Sequence, residues 1–361
     1  MDITKLILCF SLAFGVSLAS TPFVKVLAHK IGAIDVPDAR RVHDHPIPRM
    51  GGLAIFYGFL ISVLCFAHVD TQMRGILIGS LIIVALGIVD DVKQLGAKIK
   101  FVTQIAVACI VVGHGVVIEY VSVPEFVHES GILSLGYFSI PITLIWIVGV
   151  TNAVNLIDGL DGLAVGVSSI ATFSLFFIAI LAGEMQVALI TAALAGGCLG
   201  FLPYNFNPAK IFMGDTGSTF LGYMLSIVCI QGLFKGYVVI SFIIPFLILG
   251  LPLFDTAFAI VRRMWNKKPI MAPDRGHLHH KLMDMGFSQK QTVAILYIIT
   301  SILALSAVVV LEIGAYTAAV FVITIGAFSF FAYKVYSANH KQKNLENSID
   351  VPNDSDEQYN D

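Results

Sequence analysis

Eleven apolar runs, each close to the roughly 20 residues a helix needs to cross a bilayer, constrain this chain more than any other feature. They fall near 4–28, 51–68, 73–89, 99–118, 140–157, 160–182, 185–203, 216–234, 237–261, 291–312 and 315–336. In hydrocarbon a spanning segment must satisfy its backbone N–H and C=O groups internally, so runs of this length predict helices. Composition agrees: of 361 residues, 57% are hydrophobic and 13% charged, and the mean hydropathy is +0.85. A soluble domain carries roughly 25% charged residues. The charge here is too sparse to cover a globular surface, which excludes a soluble enzyme and a disordered chain. A net charge of −2 leaves no basic excess for a phosphate backbone, so no nucleic-acid partner is expected. The expected fold class is all-α, a polytopic membrane protein of about eleven transmembrane helices.

The first run is long and lacks a small-x-small cleavage site, so it reads as a retained helix rather than a signal peptide. Lysine and arginine give the orientation. With the N-terminus outside, all of the 22 cations except Lys5, Arg74 and Lys235 fall on the cytoplasmic side. The C-terminus is then cytoplasmic. The expected domains are an integral-membrane unit over 1–336, with cytosolic loops at 29–50, 90–98, 158–161, 204–217 and 262–290, and a polar, acidic, disordered tail over 337–361. Cys9, Cys65, Cys109, Cys198 and Cys229 each stand alone inside an apolar run and read as small hydrophobes.

The unusual polar residues gather at the inner ends of these runs. Asp90 and Asp91 close the third; two adjacent carboxylates near lipid need a cation or a solvated helix end to relieve them. Asn152, Asn155 and Asp158 recur every third residue and so share one slowly drifting helix face, with Asp161-Gly162 turning the chain. These are hard oxygen donors, suited to Mg²⁺ or Mn²⁺ rather than Zn²⁺, although a polar turn would use the same residues. In Asn205–Ser218, Gly214 and Gly217 flank Asp215 at a helix start, where free N–H groups favour an anion. The basic stretch Arg275-Gly-His277-Leu-His279-His280-Lys281 suits phosphate better than zinc, because it has no H-E-x-x-H and no nearby cysteine. Asp255 lies near the inner end of the ninth run and is either functional or a structural partner. Carboxylates, amides and cations at one membrane face are the equipment of phosphoryl transfer.

With Pro48-Arg-Met-Gly51-Gly52, these motifs occur in the order found in the polyprenyl-phosphate N-acetylhexosamine-1-phosphate transferases, and the chain resembles that family over nearly all of its first 335 residues. The stretch Asp35-Val-Pro-Asp-Ala-Arg-Arg-Val-His looks like the WecA/TagO branch, and Tyr204-Asn-Phe-Asn-Pro-Ala-Lys-Ile like its TagO-like members. The resemblance implies a reaction in which UDP-GlcNAc and undecaprenyl phosphate give undecaprenyl-diphospho-GlcNAc and UMP. It implies Asp215 and Asn155 as ligands of Mg²⁺, with Mn²⁺ as the alternative. It places Asp90 and Asp91 at the lipid phosphate, and Asp158 and Asp161 at the nucleotide or around the metal. Asn152, Arg275, His277, His279, His280, Gly51 and Gly52 would hold substrate or phosphate. A teichoic-acid linkage unit is the expected pathway; another UDP-hexosamine, another envelope polymer, a covalent aspartyl intermediate and a homodimer stay open. Three other classes fit less well. A secondary transporter would carry its ionisable residues near the bilayer midplane, an intramembrane aspartyl protease would need G-x-G-D where Phe212-Met-Gly-Asp215 stands, and a scaffold has no use for these acids.

Overall fold

The computed structural model describes residues 2–36, 45–122, 132–233, 243–267, 269, 276–313 and 326. Helices dominate: α1 (Ile3–Ile31), α2 (Gly52–Phe66), α3 (Thr71–Lys93), α4 (Ala97–Gly113), α5 (Ser139–Leu156), α6 (Leu163–Leu181), α7 (Met185–Asn205), α8 (Gly214–Leu233), α9 (Ile243–Ile248), α10 (Gly250–Trp265), α11 (Leu278–Asp284) and α12 (Gln289–Ile313). Two short antiparallel hairpins complete the described chain: β1 (Ile34–Asp35) with β2 (Ile47–Pro48), and β3 (Tyr120–Ser122) with β4 (Ile132–Ser134). The protein is an all-helical polytopic membrane protein. Among the described residues six helices are long and apolar enough to cross a membrane, and α2 is a shorter apolar helix. The run at 315–336 and the tail at 337–361 lie outside the described residues, apart from Gly326.

Asp2 and Asp70 start α1 and α3 by accepting the N–H groups of Lys5 (3.2 Å) and Met73 (2.8 Å). The ninth apolar run, expected as one span, contains a break between α9 and α10. Pro252 stands in the first turn of α10, and its ring can neither donate to nor lie beside the carbonyl of Ile248, four residues back.

α7 and α8 form the centre. α8 packs against α2, α3, α5 and α6, and α7 against α1, α2 and α6. Small residues let these helices approach closely. A Cβ on Gly196 or Gly200 of α7 would meet the α1 backbone, and Ser17 of α1 donates to the Gly197 carbonyl at 2.7 Å. α1 by contrast exposes Ile7, Leu8, Phe23 and Val26, and α12 exposes Ile298 and Leu305. Apolar side chains facing outward all around a dry core suit a lipid solvent.

Candidate active site

The site is built at one end of the bundle, where α3 and α8 meet. Gly214 opens α8 with a left-handed φ of 72°, and a Cβ there would also strike the Asp91 carboxylate. The first N–H groups of a helix have no intrahelical acceptors. Asp91 supplies them: Oδ1 accepts from the Asp215 N–H (2.9 Å), and Oδ2 from the Thr216 N–H (3.1 Å) and Oγ1 (2.6 Å). Asp91 is only 3% exposed, and its oxygens are committed to fixing the start of α8. It therefore holds Asp215 in place, a positioning role instead of the contact with lipid phosphate expected from the sequence.

Asp90 is aimed differently. Its Oδ1 accepts the Leu95 N–H at 2.6 Å, and its Oδ2 accepts from Lys100 Nζ at 3.0 Å. The same ammonium reaches Asp215 Oδ2 at 2.7 Å, so Lys100, in the first turn of α4, bridges α3 to α8.

The turn between α5 and α6 brings the next group. Asn152 donates to Gln104 Oε1 (2.6 Å) and to the Val148 carbonyl, which ties it to α4. Asn155 donates to Ser218 Oγ at 2.7 Å and stands beside the Asp215 carboxylate. Asp161 Oδ2 accepts from Asn207 Nδ2 and the Ala209 N–H, both at 2.9 Å, fastening the α7–α8 loop, while Asn207 also donates to Gln289 at the start of α12. Asp158 is pushed well above the usual carboxylate range by burial and then by the charges of Asp215, Asp91 and Asp161.

A cavity of about 470 Å³ opens among these elements, lined by Asp158, Asp161, Asp215, Asn207, His280, Asp35 and Arg49, among others. That volume is ordinary for a small-molecule or cofactor site. The β1–β2 hairpin delivers Arg49, paired with Asp35 at 2.8 Å; it is the one Lys or Arg among the described lining residues.

The three histidines divide. His277 Nδ1 pairs with Asp255 Oδ2 at 2.8 Å, and Asp255 also accepts the Leu278 N–H at 2.9 Å, which joins α10 to α11. His279 is 3% exposed, stacks on His277 with ring centroids 5.8 Å apart, and leans on Gly159, where a Cβ would press against its ring. Burial, and then the neighbouring His280 and His277, push His279 down to about 4. It is neutral at pH 7, contrary to the phosphate-holding charge expected of it. Of these three, His280 alone lines the cavity. Arg275 lies outside the described residues.

Gly51 and Gly52 correct a second expectation. Their N–H groups donate to the carbonyls of Phe212 and Met213, both at 2.9 Å, so neither is offered to a phosphate. A Cβ on Gly52 would overlap the backbone of Gly217. The pair exists to bring α2 against α8.

Comparison with known proteins accounts for this arrangement. Residues 73–233 match the model of glycosyl transferase family 4. The chain is 47% identical over 306 residues to a probable undecaprenyl-phosphate N-acetylglucosaminyl 1-phosphate transferase of Bacillus subtilis, covering 84% of this chain and 85% of the relative. The chain belongs to this transferase family. It is also 36% identical to a decaprenyl-phosphate N-acetylglucosaminephosphotransferase of Mycolicibacterium smegmatis (80% of this chain, 78% of the relative). With the undecaprenyl-phosphate alpha-N-acetylglucosaminyl 1-phosphate transferase of Escherichia coli K12 it shares 27% identity (78% and 77%).

In this transferase, no group of three or more His, Cys, Asp or Glu side chains converges as a ready-made metal cage among the described residues. The donor chemistry nevertheless fits Mg²⁺, which is commonly held by one or two carboxylates and completed by substrate phosphates. Asp215, which lines the cavity at the start of α8, and Asn155 of α5 beside it are the oxygen donors that could hold it.

The sequence reading left Lys100, Arg49, Asp35, Asn207 and Gln289 without a place in the site. Lys100 lies 10 residues from Asp90 and 115 from Asp215, and no local pattern joins them. Arg49 had a signal: it stands inside the Pro48–Gly52 motif.

Proposed function

We propose that the protein transfers GlcNAc-1-phosphate from UDP-GlcNAc to undecaprenyl phosphate, releasing UMP, as the first membrane step of an envelope glycopolymer. The observation that carries the reading is the convergence of Asp158 and Asp161, from the α5–α6 turn, with Asp215, from the start of α8, on one cavity at one end of the helical bundle. The names of relatives up to 47% identical point to the same sugar phosphate and the same class of lipid acceptor.

Mg²⁺, held by Asp215 and Asn155, would neutralise charge on the diphosphate and on the departing UMP. The chain's own residues do the rest. Asp91 fixes Asp215 by capping α8, Asp161 and Asn207 hold the cavity floor, and Arg49 offers the diphosphate a planar donor group. Asp90 would orient the lipid phosphate, whose second proton has a pKa near 6 by analogy with phosphate monoesters and needs little help to leave. His280 and Arg275 supply further phosphate contacts. The transferase unit spans 1–336 with eleven helices, N-terminus outside, C-terminus and tail in the cytoplasm, so that a soluble nucleotide and a membrane lipid meet at the inner face of the cell membrane.

Purified full-length protein given undecaprenyl phosphate, Mg²⁺ and a panel of UDP-sugars should release UMP and form lipid-linked GlcNAc with UDP-GlcNAc alone. No UMP release with any UDP-hexosamine would refute the enzyme reading. Full activity in EDTA, or in Asp215→Asn, would refute the metal assignment.

A further inference from the structure

We propose that Lys100 is an internal counter-ion that a divalent cation must displace from Asp215, and that the displaced ammonium is received by the diphosphate of the incoming nucleotide sugar. This rests on the reading of Asp215 as a metal ligand.

Lys100 Nζ lies 2.7 Å from Asp215 Oδ2 and 3.0 Å from Asp90 Oδ2, at ion-pair contact with both. A divalent cation on Asp215 would share that carboxylate with a bound ammonium, and like charges a few ångströms apart in a poorly solvated pocket repel strongly. One of the two must leave. The lysine is built to do so. It is a point charge on a flexible four-carbon stem, whereas Asp90 and Asp215 reach out of α3 and α8 on short side chains. When it leaves, Asp90 keeps the Leu95 N–H at 2.6 Å. An ammonium freed beside Asp215, which lines the cavity, is within reach of the anionic oxygens that arrive with the nucleotide. Metal loading and nucleotide binding are then coupled through one side chain, each favouring the other by the same factor.

Mn²⁺ binding to the full-length protein in detergent, followed by electron paramagnetic resonance without lipid acceptor, tests this. Lys100→Met removes the competing charge and should bind Mn²⁺ at least about tenfold more tightly than the wild type, with a smaller gain on adding UDP-GlcNAc. Lys100→Arg places a two-pronged cation on both carboxylates and should bind Mn²⁺ at least about fivefold more weakly. Thermal melting checks that each variant is folded; if Lys100→Met is not, Lys100→Arg decides. Affinities within about twofold of wild type in the folded variants overturn the inference. Asp215→Asn separates the two readings. If it binds Mn²⁺ as wild type does, the metal assignment fails and this inference with it. If Mn²⁺ binding depends on Asp215 but not on Lys100, only this inference fails.

Discussion

Asp91 and His279 show how burial assigns work to a residue type. A carboxylate at 3% exposure survives only with donors, and the orphan N–H groups of α8 are the donors at hand. Asp91→Ala should therefore cost about 1–3 kcal/mol of stability, seen as a lower melting temperature. It should also reduce UMP release at least about tenfold by loosening Asp215. An unchanged rate would show that the cap does not position Asp215. His279 behaves oppositely, because it is buried in its neutral form. Its pKa falls from 6.5 to about 4, so between those values the unfolded chain binds the extra proton. Stability is full above about pH 6.5 and is lost as pH falls toward 4, by up to about 3 kcal/mol. Melting temperatures measured across that range should fall less steeply in His279→Gln than in wild type. Parallel slopes would mean that His279 titrates normally.

Among the elements, the α2–α8 contact sets the site most directly. Gly52 faces Gly217 so closely that one methyl group cannot be accommodated without moving a backbone. Overpacking a fixed helix crossing costs about 1–3 kcal/mol, and Gly52→Ala should lose that much by thermal unfolding. Activity should fall further than stability does, since α8 carries Asp215 at its first turn. Wild-type activity in a folded Gly52→Ala protein would show that the spacing of these helices does not matter to the site. The sequence showed two glycines in a motif, and a phosphate-binding loop was a fair expectation. Which backbone would lie across them depends on α8, more than 160 residues later in the chain, and no local pattern carries that.

For the whole molecule, the expected topology places the cavity inside and the β3–β4 end outside. Tyr137, fully exposed beside that hairpin, and Asp284, exposed at the end of α11, mark the two faces. In a background with the five native cysteines replaced, Tyr137→Cys should react with an impermeant maleimide added to intact cells. Asp284→Cys should react only after permeabilisation, and the reverse pattern would invert the orientation. Apolar runs of spanning length were enough to give an all-helical membrane protein, because hydrocarbon leaves the backbone few ways to satisfy itself. The motif acids, rare and costly near lipid, were enough to single out the end of the bundle where Asp158, Asp161 and Asp215 gather around one cavity. Sequence could not say which carboxylate caps a helix, which binds a cation and which histidine stays neutral. Those roles depend on partners brought from other helices: Thr216 to Asp91, Lys100 to Asp215, Asp255 to His277. Only packing decides which of them a buried charge meets.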